Sequence, residues 1–135
     1  MERKPMNSKV IVLKNGKVVD SESMRVVIAD VVISAGVITQ VGDASSCDAD
    51  VVIDCTGKIV TAGFIDTHVH IESSMVLPKT FGEAVLPHGT TTVIADPHEV
   101  VNVAGAAGLR LFLDETDKAP ISIFTVIPSS VPATQ

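Results

Sequence analysis

The sequence predicts an α/β fold in two parts: a β-rich module up to about residue 60, then the first βα units of a parallel sheet. Three observations carry this prediction. Short β-branched runs broken by turn residues fill residues 9–60. After Gly63, apolar strand-like runs recur roughly every 30 residues with helical patterns between them, the mark of βα units. Each of those later runs ends in polar, chemistry-bearing residues.

Taken in order, Val10-Ile11-Val12-Leu13 is a strand that stops at Lys14-Asn15-Gly16-Lys17, where Asn-Gly is a strong hairpin signal, and Val18-Val19 begins the return. A β-branched run over residues 24–33 gives way at Ser34-Ala35-Gly36 to Val37-Ile38-Thr39-Gln40-Val41. Val51-Val52-Ile53-Asp54 then leads through Thr56-Gly57-Lys58 into Ile59-Val60. The expectation is an antiparallel module.

Beyond Gly63 the expected strands are residues 64–69, 91–95 and 121–127. The first helix should turn Phe81, Ala84 and Val85 inward and close near Pro87-His88-Gly89. His88 falls at that helix end, away from the strand tips, where a cation suits the dipole. A second helix over about 99–116 places Val100, Val103, Ala104, Ala107 and Leu111 on one face, with Arg110, Asp114 and Glu115 towards solvent. Gly105 and Gly108 weaken its propensity, so close packing against the sheet is their expected role. No helix follows the third strand and its Pro128-Ser129-Ser130-Val131-Pro132 loop. A parallel sheet needs both faces covered and a closed barrel needs about eight strands, so the chain reads as the front of a larger protein.

Composition narrows the function classes. At 135 residues, 46% of them hydrophobic and none Trp or Tyr, the chain has enough apolar material for a core and no mark of disorder. Its net charge of -6 with scattered basic residues lacks the footprint of a nucleic-acid binder. No apolar stretch approaches the roughly 18 residues of a membrane span, and no signal-peptide core follows the N-terminus. A cytoplasmic protein without nucleic-acid or membrane partners is expected. Cys47 and Cys55, eight apart and away from other ligands, read as ordinary reduced thiols.

The chemistry centres on His68 and His70, which alternation in a strand presents to one side, where they can grip one metal ion. Asp66 and Glu72 bracket them, and imidazole with carboxylate suits a catalytic divalent cation. Asp96, His98 and Glu99 follow the second strand; Ser129 and Ser130 follow the third. In α/β barrels the site forms at the carboxyl ends of the strands, so all three clusters should face one crevice. Asp96-Pro97 is equally a turn starter, and Glu99 can sit opposite a helix dipole. Ser73 and Ser74 can bond substrate or cap a loop. His70-Ile71-Glu72 also spells half of the zinc nucleobase deaminase signature, but the required downstream Pro-Cys-x-x-Cys is missing and that fold is rejected.

Gly63-Phe64-Ile65-Asp66-Thr67-His68-Val69-His70 resembles the first barrel strand of the amidohydrolase superfamily, although Ala62 stands where Pro is common. Four further motifs look like the adenine deaminase family within it. They are His70-Ile71-Glu72-Ser73-Ser74-Met75, Leu86-Pro87-His88-Gly89-Thr90-Thr91-Thr92-Val93, Ala95-Asp96-Pro97-His98-Glu99 and Pro128-Ser129-Ser130-Val131-Pro132-Ala133-Thr134. Ser130 stands where that family often has Cys.

The resemblance implies a β-sandwich domain over residues 1–60 and the first three units of a metal-dependent (β/α)8 barrel over 61–135. It implies hydrolysis of adenine to hypoxanthine and ammonia in purine salvage, at a binuclear site using Mn2+ or Fe2+, with Zn2+ as the alternative, in an enzyme that forms a homo-oligomer when complete. His68 and His70 would hold the buried metal. Asp66 and Glu72 would serve catalysis, Asp66 by orienting a ligand and Glu72 by touching substrate or a loop amide. Asp96, His98, Glu99, Ser73 and Ser129 are implied metal or substrate contacts. The remaining ligands would lie beyond Gln135, so this chain alone is expected not to deaminate adenine. Two other readings compete: a cyclic-amide hydrolase of dihydroorotase or hydantoinase type, and a non-catalytic partner-binding module with an exposed sheet edge.

Overall fold

The computed structural model describes residues 9–128, 130 and 131. Ser129 and residues 132–135, which belong to the third-strand motif, lie outside the described residues. The chain divides into two compact units, Met1–Ala62 and Gly63–Gln135.

In the first unit β1 (Val10–Asp20), β2 (Arg25–Ser34), β3 (Val37–Gly42), β4 (Val51–Asp54) and β5 (Ile59–Val60) form one sheet in the order β3-β2-β1-β4, with β5 also on β1. The Asn15-Gly16 pair does not turn the chain. β1 runs straight through it, and the register against β2 shifts between Leu13 and Gly16 while Asn15 takes a φ of 58°. The left-handed tolerance that makes Asn-Gly a hairpin signal is used here for a β-bulge. The stray donor of the bulge is satisfied by buried Asp30, whose Oδ1 accepts from Asn15 N–H at 2.9 Å and whose Oδ2 accepts from Ala44 N–H at 3.1 Å. Those two bonds, with the Lys14 ammonium 3.5 Å away, hold the Asp30 carboxyl below its ordinary value. The hairpin comes later, where Asp20 accepts the backbone N–H groups of Glu22 and Ser23.

The sheet is mixed, which corrects the antiparallel expectation. β1 pairs antiparallel with β2 but parallel with β4 along residues 11–14 and with β5 at Lys17 and Val18. The chain leaving β3 crosses to the other edge of β1 and re-enters in the direction of β1, once on each side of the bulge. Val12, Val32 and Ala44 are the buried centre, with Val10, Cys47 and Ala49 packed on them. Both cysteines are free thiols.

In the second unit β6 (Phe64–Val69), β7 (Thr90–Ala95) and β8 (Ser122–Thr125) form a parallel sheet in that order. The strand β8 is shorter than expected, although Val126 N–H still donates to the Ala95 carbonyl at 3.0 Å. Between the strands run α1 (Pro78–Val85), extended by a 3-10 turn over Leu86–His88, and α2 (His98–Thr116). Ile71, Val93, Ala95, Phe112 and Ile121 are the buried core, with Phe81, Val85 and Val100 against them. Ala84 is exposed, contrary to expectation, and Gly82 takes the inward place because the chain at 119–121 passes so close that a Cβ would stand 3.0 Å from Pro120 Cδ. His88 ends the 3-10 turn at the entry to β7, exposed and away from the strand tips.

The helix α2 departs furthest from the sequence reading. Gly105 adopts φ 58° and ψ -145°, a backbone shape essentially restricted to glycine, and breaks α2 into two segments. One helical wheel cannot be carried across such a break. Val103 and Leu111, expected inside, are 89% and 54% exposed; Gly108, Phe112 and Glu115 are the buried residues. Glu115, expected in solvent, instead pairs with Lys118 at 2.5 Å and raises the pKa of that lysine. Gly108 is needed for close approach to the first segment of α2, since a Cβ there would meet the Val100 carbonyl oxygen at 2.8 Å.

Candidate metal centre

β6 delivers two imidazoles together. Along β6 the register against β7 shifts between Asp66 and Val69, so Thr67 and His68 form a bulge of the kind common beside active sites. Asp66 Oδ1 accepts from the backbone N–H of His68 at 3.1 Å and braces that bulge. The Nε2 atoms of His68 and His70 then face one another at 3.2 Å, with ring centroids 4.8 Å apart and planes at 88°. Two nitrogens each about 2.1 Å from one ion would stand roughly 3.0 to 3.4 Å apart at right-angled to tetrahedral geometry, so the pair fits a shared divalent cation.

The ring of His70 is held by its other nitrogen. Nδ1 lies 2.9 Å from the Asp96 carbonyl oxygen, which can only accept, so Nδ1 carries the proton and Nε2 keeps its lone pair. That is the usual arrangement behind a metal-binding histidine. The Asp96 carbonyl is itself set by the sheet, since Asp96 N–H donates to the Val69 carbonyl at 3.0 Å.

The β7 loop brings His98 against His70, with centroids 4.6 Å apart and planes at 87°. His70, Asp96 and His98 each offer a ligand atom, all within 4.8 Å of one another, and can hold a metal ion. His98 Nδ1 lies 3.5 Å from Asp96 Oδ2, too poorly aligned to bond. Buried Glu72 Oε2, Asp96 Oδ1 and His98 Nδ1 have no hydrogen-bond partner among the described residues, and acceptors left bare in this way suit a cation.

Glu72 does not continue the strand series. The strand ends at Val69, the chain enters a 3-10 turn over Ile71–Ser74, and Glu72 Oε1 turns to the first turn of α2, accepting from Glu99 N–H at 3.2 Å and Val100 N–H at 3.4 Å. Ser73 Oγ donates to Glu99 Oε1 at 2.6 Å. Asp66 and His68 lie within β6, while His70, Glu72, Ser73, Asp96, His98 and Glu99 follow the ends of β6 and β7, and Ser129 lies outside the described residues. Asn102 was missed. Its Nδ2 donates to the Ser130 carbonyl at 3.1 Å and ties α2 to the loop after β8. Its spacing of four from His98, one helical turn, was the available signal.

Comparison with known proteins shows the family. The profile of the amidohydrolase family matches residues 59–135. The chain belongs to the amidohydrolase family. Within it, the chain is 49% identical over 122 residues to the adenine deaminase of Bacillus velezensis and 46% identical over 123 residues to that of Bacillus subtilis, covering 90% and 91% of this chain. It spans 21% of the length of each of those relatives. Among solved structures it is similar to the L-hydantoinase of Arthrobacter aurescens, with a TM-score of 0.65 and 23% identity over 85% of this chain and 27% of that one. A D-aminoacylase variant gives a TM-score of 0.68 and 22% identity over 89% of this chain and 30% of that one. These two likenesses concern the fold.

Proposed function

We propose that this chain is the metal-gripping front of an enzyme that hydrolyses adenine to hypoxanthine and ammonia, the reaction of a purine salvage step. The observation that carries the reading is the 3.2 Å approach of His68 Nε2 to His70 Nε2, with the His70 ring pinned by the Asp96 carbonyl, in a chain so similar to adenine deaminases. Residues 1–60 belong to a β-sandwich domain and residues 61–135 are the first three units of a (β/α)8 barrel. Phe64, Ile65 and Phe124, all exposed on the second sheet, are surfaces that the remaining four-fifths or so of such a polypeptide would cover.

His68 and His70 would hold a divalent metal, Mn2+ or Fe2+, with the Nε2 atoms that face one another as the donors available. When bound, a divalent ion supplies hydroxide near neutral pH by lowering the pKa of water. Asp66 keeps the β6 bulge in shape, and Asp96 and His98, beside His70, would contact a second ion or the substrate. Ser73 and Glu99, bonded to each other, complete the rim, and Ser129 is a further substrate contact on the strength of the motif alone. The assembled enzyme is a cytoplasmic homo-oligomer. Residues 1–135 by themselves supply too few ligands for turnover.

The test is a substrate panel on the full-length polypeptide loaded with Mn2+, following ammonia release from adenine and ring opening of dihydroorotate and a hydantoin to their N-carbamoyl acids. Faster turnover of adenine supports the reading. Turnover of the hydantoin or dihydroorotate above that of adenine overturns it in favour of a cyclic-amide hydrolase, and no turnover of any overturns it in favour of a binding module.

A further inference from the structure

The α2 helix begins without a cap of its own. Pro97 stands at the N-cap with no side-chain hydrogen bond, and the first backbone N–H groups of the helix need acceptors. Glu72 supplies one from 27 positions away, its Oε1 accepting from both Glu99 and Val100. The carboxylate also suits the positive end of the helix dipole. Glu72 is firmly based, because its neighbour Ile71 is fully buried in the core.

The break at Gly105 gives this cap its importance. The segment before it, which starts with His98, does not continue the axis of the segment that packs Phe112 into the core. The orientation of that first segment is set by Val100 against the core, by the Asn102 tie to Ser130 and by the cap at its start. The same short stretch, Asp96-Pro97-His98, carries the carbonyl that pins His70 and the imidazole that stacks edge-on against it.

We propose that Glu72 is a positioning residue, which by capping α2 sets the Asp96-Pro97-His98 loop and through it the ring of His70. Its task needs an acceptor oxygen at the right reach and needs no proton transfer. This deepens the metal reading above and rests on it.

The test compares Glu72→Gln, Glu72→Ala and Glu72→Asp in the full-length protein. One readout is amide hydrogen exchange at Glu99 and Val100 in metal-free protein, and the other is Mn2+ affinity by chelator competition. Gln keeps the acceptor, so exchange and affinity should stay within about threefold of the parent. Ala removes it and Asp falls a methylene short, so both should exchange at least about tenfold faster and bind Mn2+ roughly 10- to 100-fold more weakly, the usual consequence of losing an outer support of a metal site. Should Glu72→Ala fail to fold, Gln against Asp decides alone. A Gln variant as weak as Ala or Asp overturns the proposal, because charge and not the cap would then be required. A parent that binds Mn2+ with an Ala or Asp variant that binds equally well overturns it while leaving the metal reading intact. A parent that binds no Mn2+ overturns both.

Discussion

Gly63→Ala tests whether β6 and β7 approach as closely as described. An ideal Cβ on Gly63 would lie 2.2 Å from Thr91 Oγ1, 2.3 Å from Thr91 Cγ2 and 2.7 Å from Thr91 Cβ. Rotating the threonine moves its outer two atoms but not its Cβ, so the strands themselves must part. Overpacking of this kind costs about 2 to 3 kcal/mol, at the upper end of the common range. Replacing glycine also restricts the unfolded chain, which returns about 0.5 to 1 kcal/mol. The net loss of about 1 to 2.5 kcal/mol should lower the melting temperature by roughly 4 to 20 °C for a unit of this size. Thermal unfolding followed by circular dichroism reads it. Thr91→Gly in the same chain removes all three offending atoms, and the double variant should recover most of the loss attributable to contact in a double-mutant cycle. A melting temperature unchanged by Gly63→Ala, or a coupling near zero in the cycle, would refute the reasoning.

Three further outcomes follow from the same structure. Ile71→Ala empties a fully buried site in the core and should cost about 2 to 5 kcal/mol in urea unfolding. Val103→Lys, at a position a continuous helical wheel would bury, should change stability by no more than about 0.5 kcal/mol, since Val103 is exposed; a loss beyond 2 kcal/mol would mean that α2 is unbroken in solution. Hydrogen bonds hold the carboxyls of Asp20, Asp30, Asp43 and Asp54 below their ordinary value, from Ser23 first for Asp20, Asn15 for Asp30, Ser45 for Asp43 and Thr56 for Asp54. Groups depressed in the folded state add stability that is present above the unfolded carboxylate pKa, about 3.9, and lost as pH falls through the lower folded values. The melting temperature should therefore fall in that acid window, and Asp30→Asn should make the fall shallower.

What was legible in the sequence follows from what is local. The strands Val51–Asp54 and Phe64–Val69 depend on alternation within a few residues and were readable, whereas the meeting of His68 and His70 also uses the bulge at 67–68 and the end of β6 at Val69. Asn15-Gly16 was misread because a positive φ serves a turn and a bulge equally, and the choice was made by Asp30, fifteen residues away, accepting the freed N–H. The parallel pairing of β4 and β5 with β1 was hidden because alternation carries no strand direction. The inward face of α2 failed at one residue: glycine is tolerated in a helix, and only the φ of 58° and ψ of -145° at Gly105 reveal the break. At the metal centre the residue types were legible, but the duty of Glu72 was not, since its partners are backbone amides of another element.

The most direct test of the account is an anomalous diffraction map from Mn2+-loaded crystals of the full-length polypeptide. The account requires a peak within bonding distance of both His68 Nε2 and His70 Nε2, with His70 Nδ1 still on the Asp96 carbonyl. An ion bound elsewhere, with the two imidazoles left in contact only with each other, would contradict it.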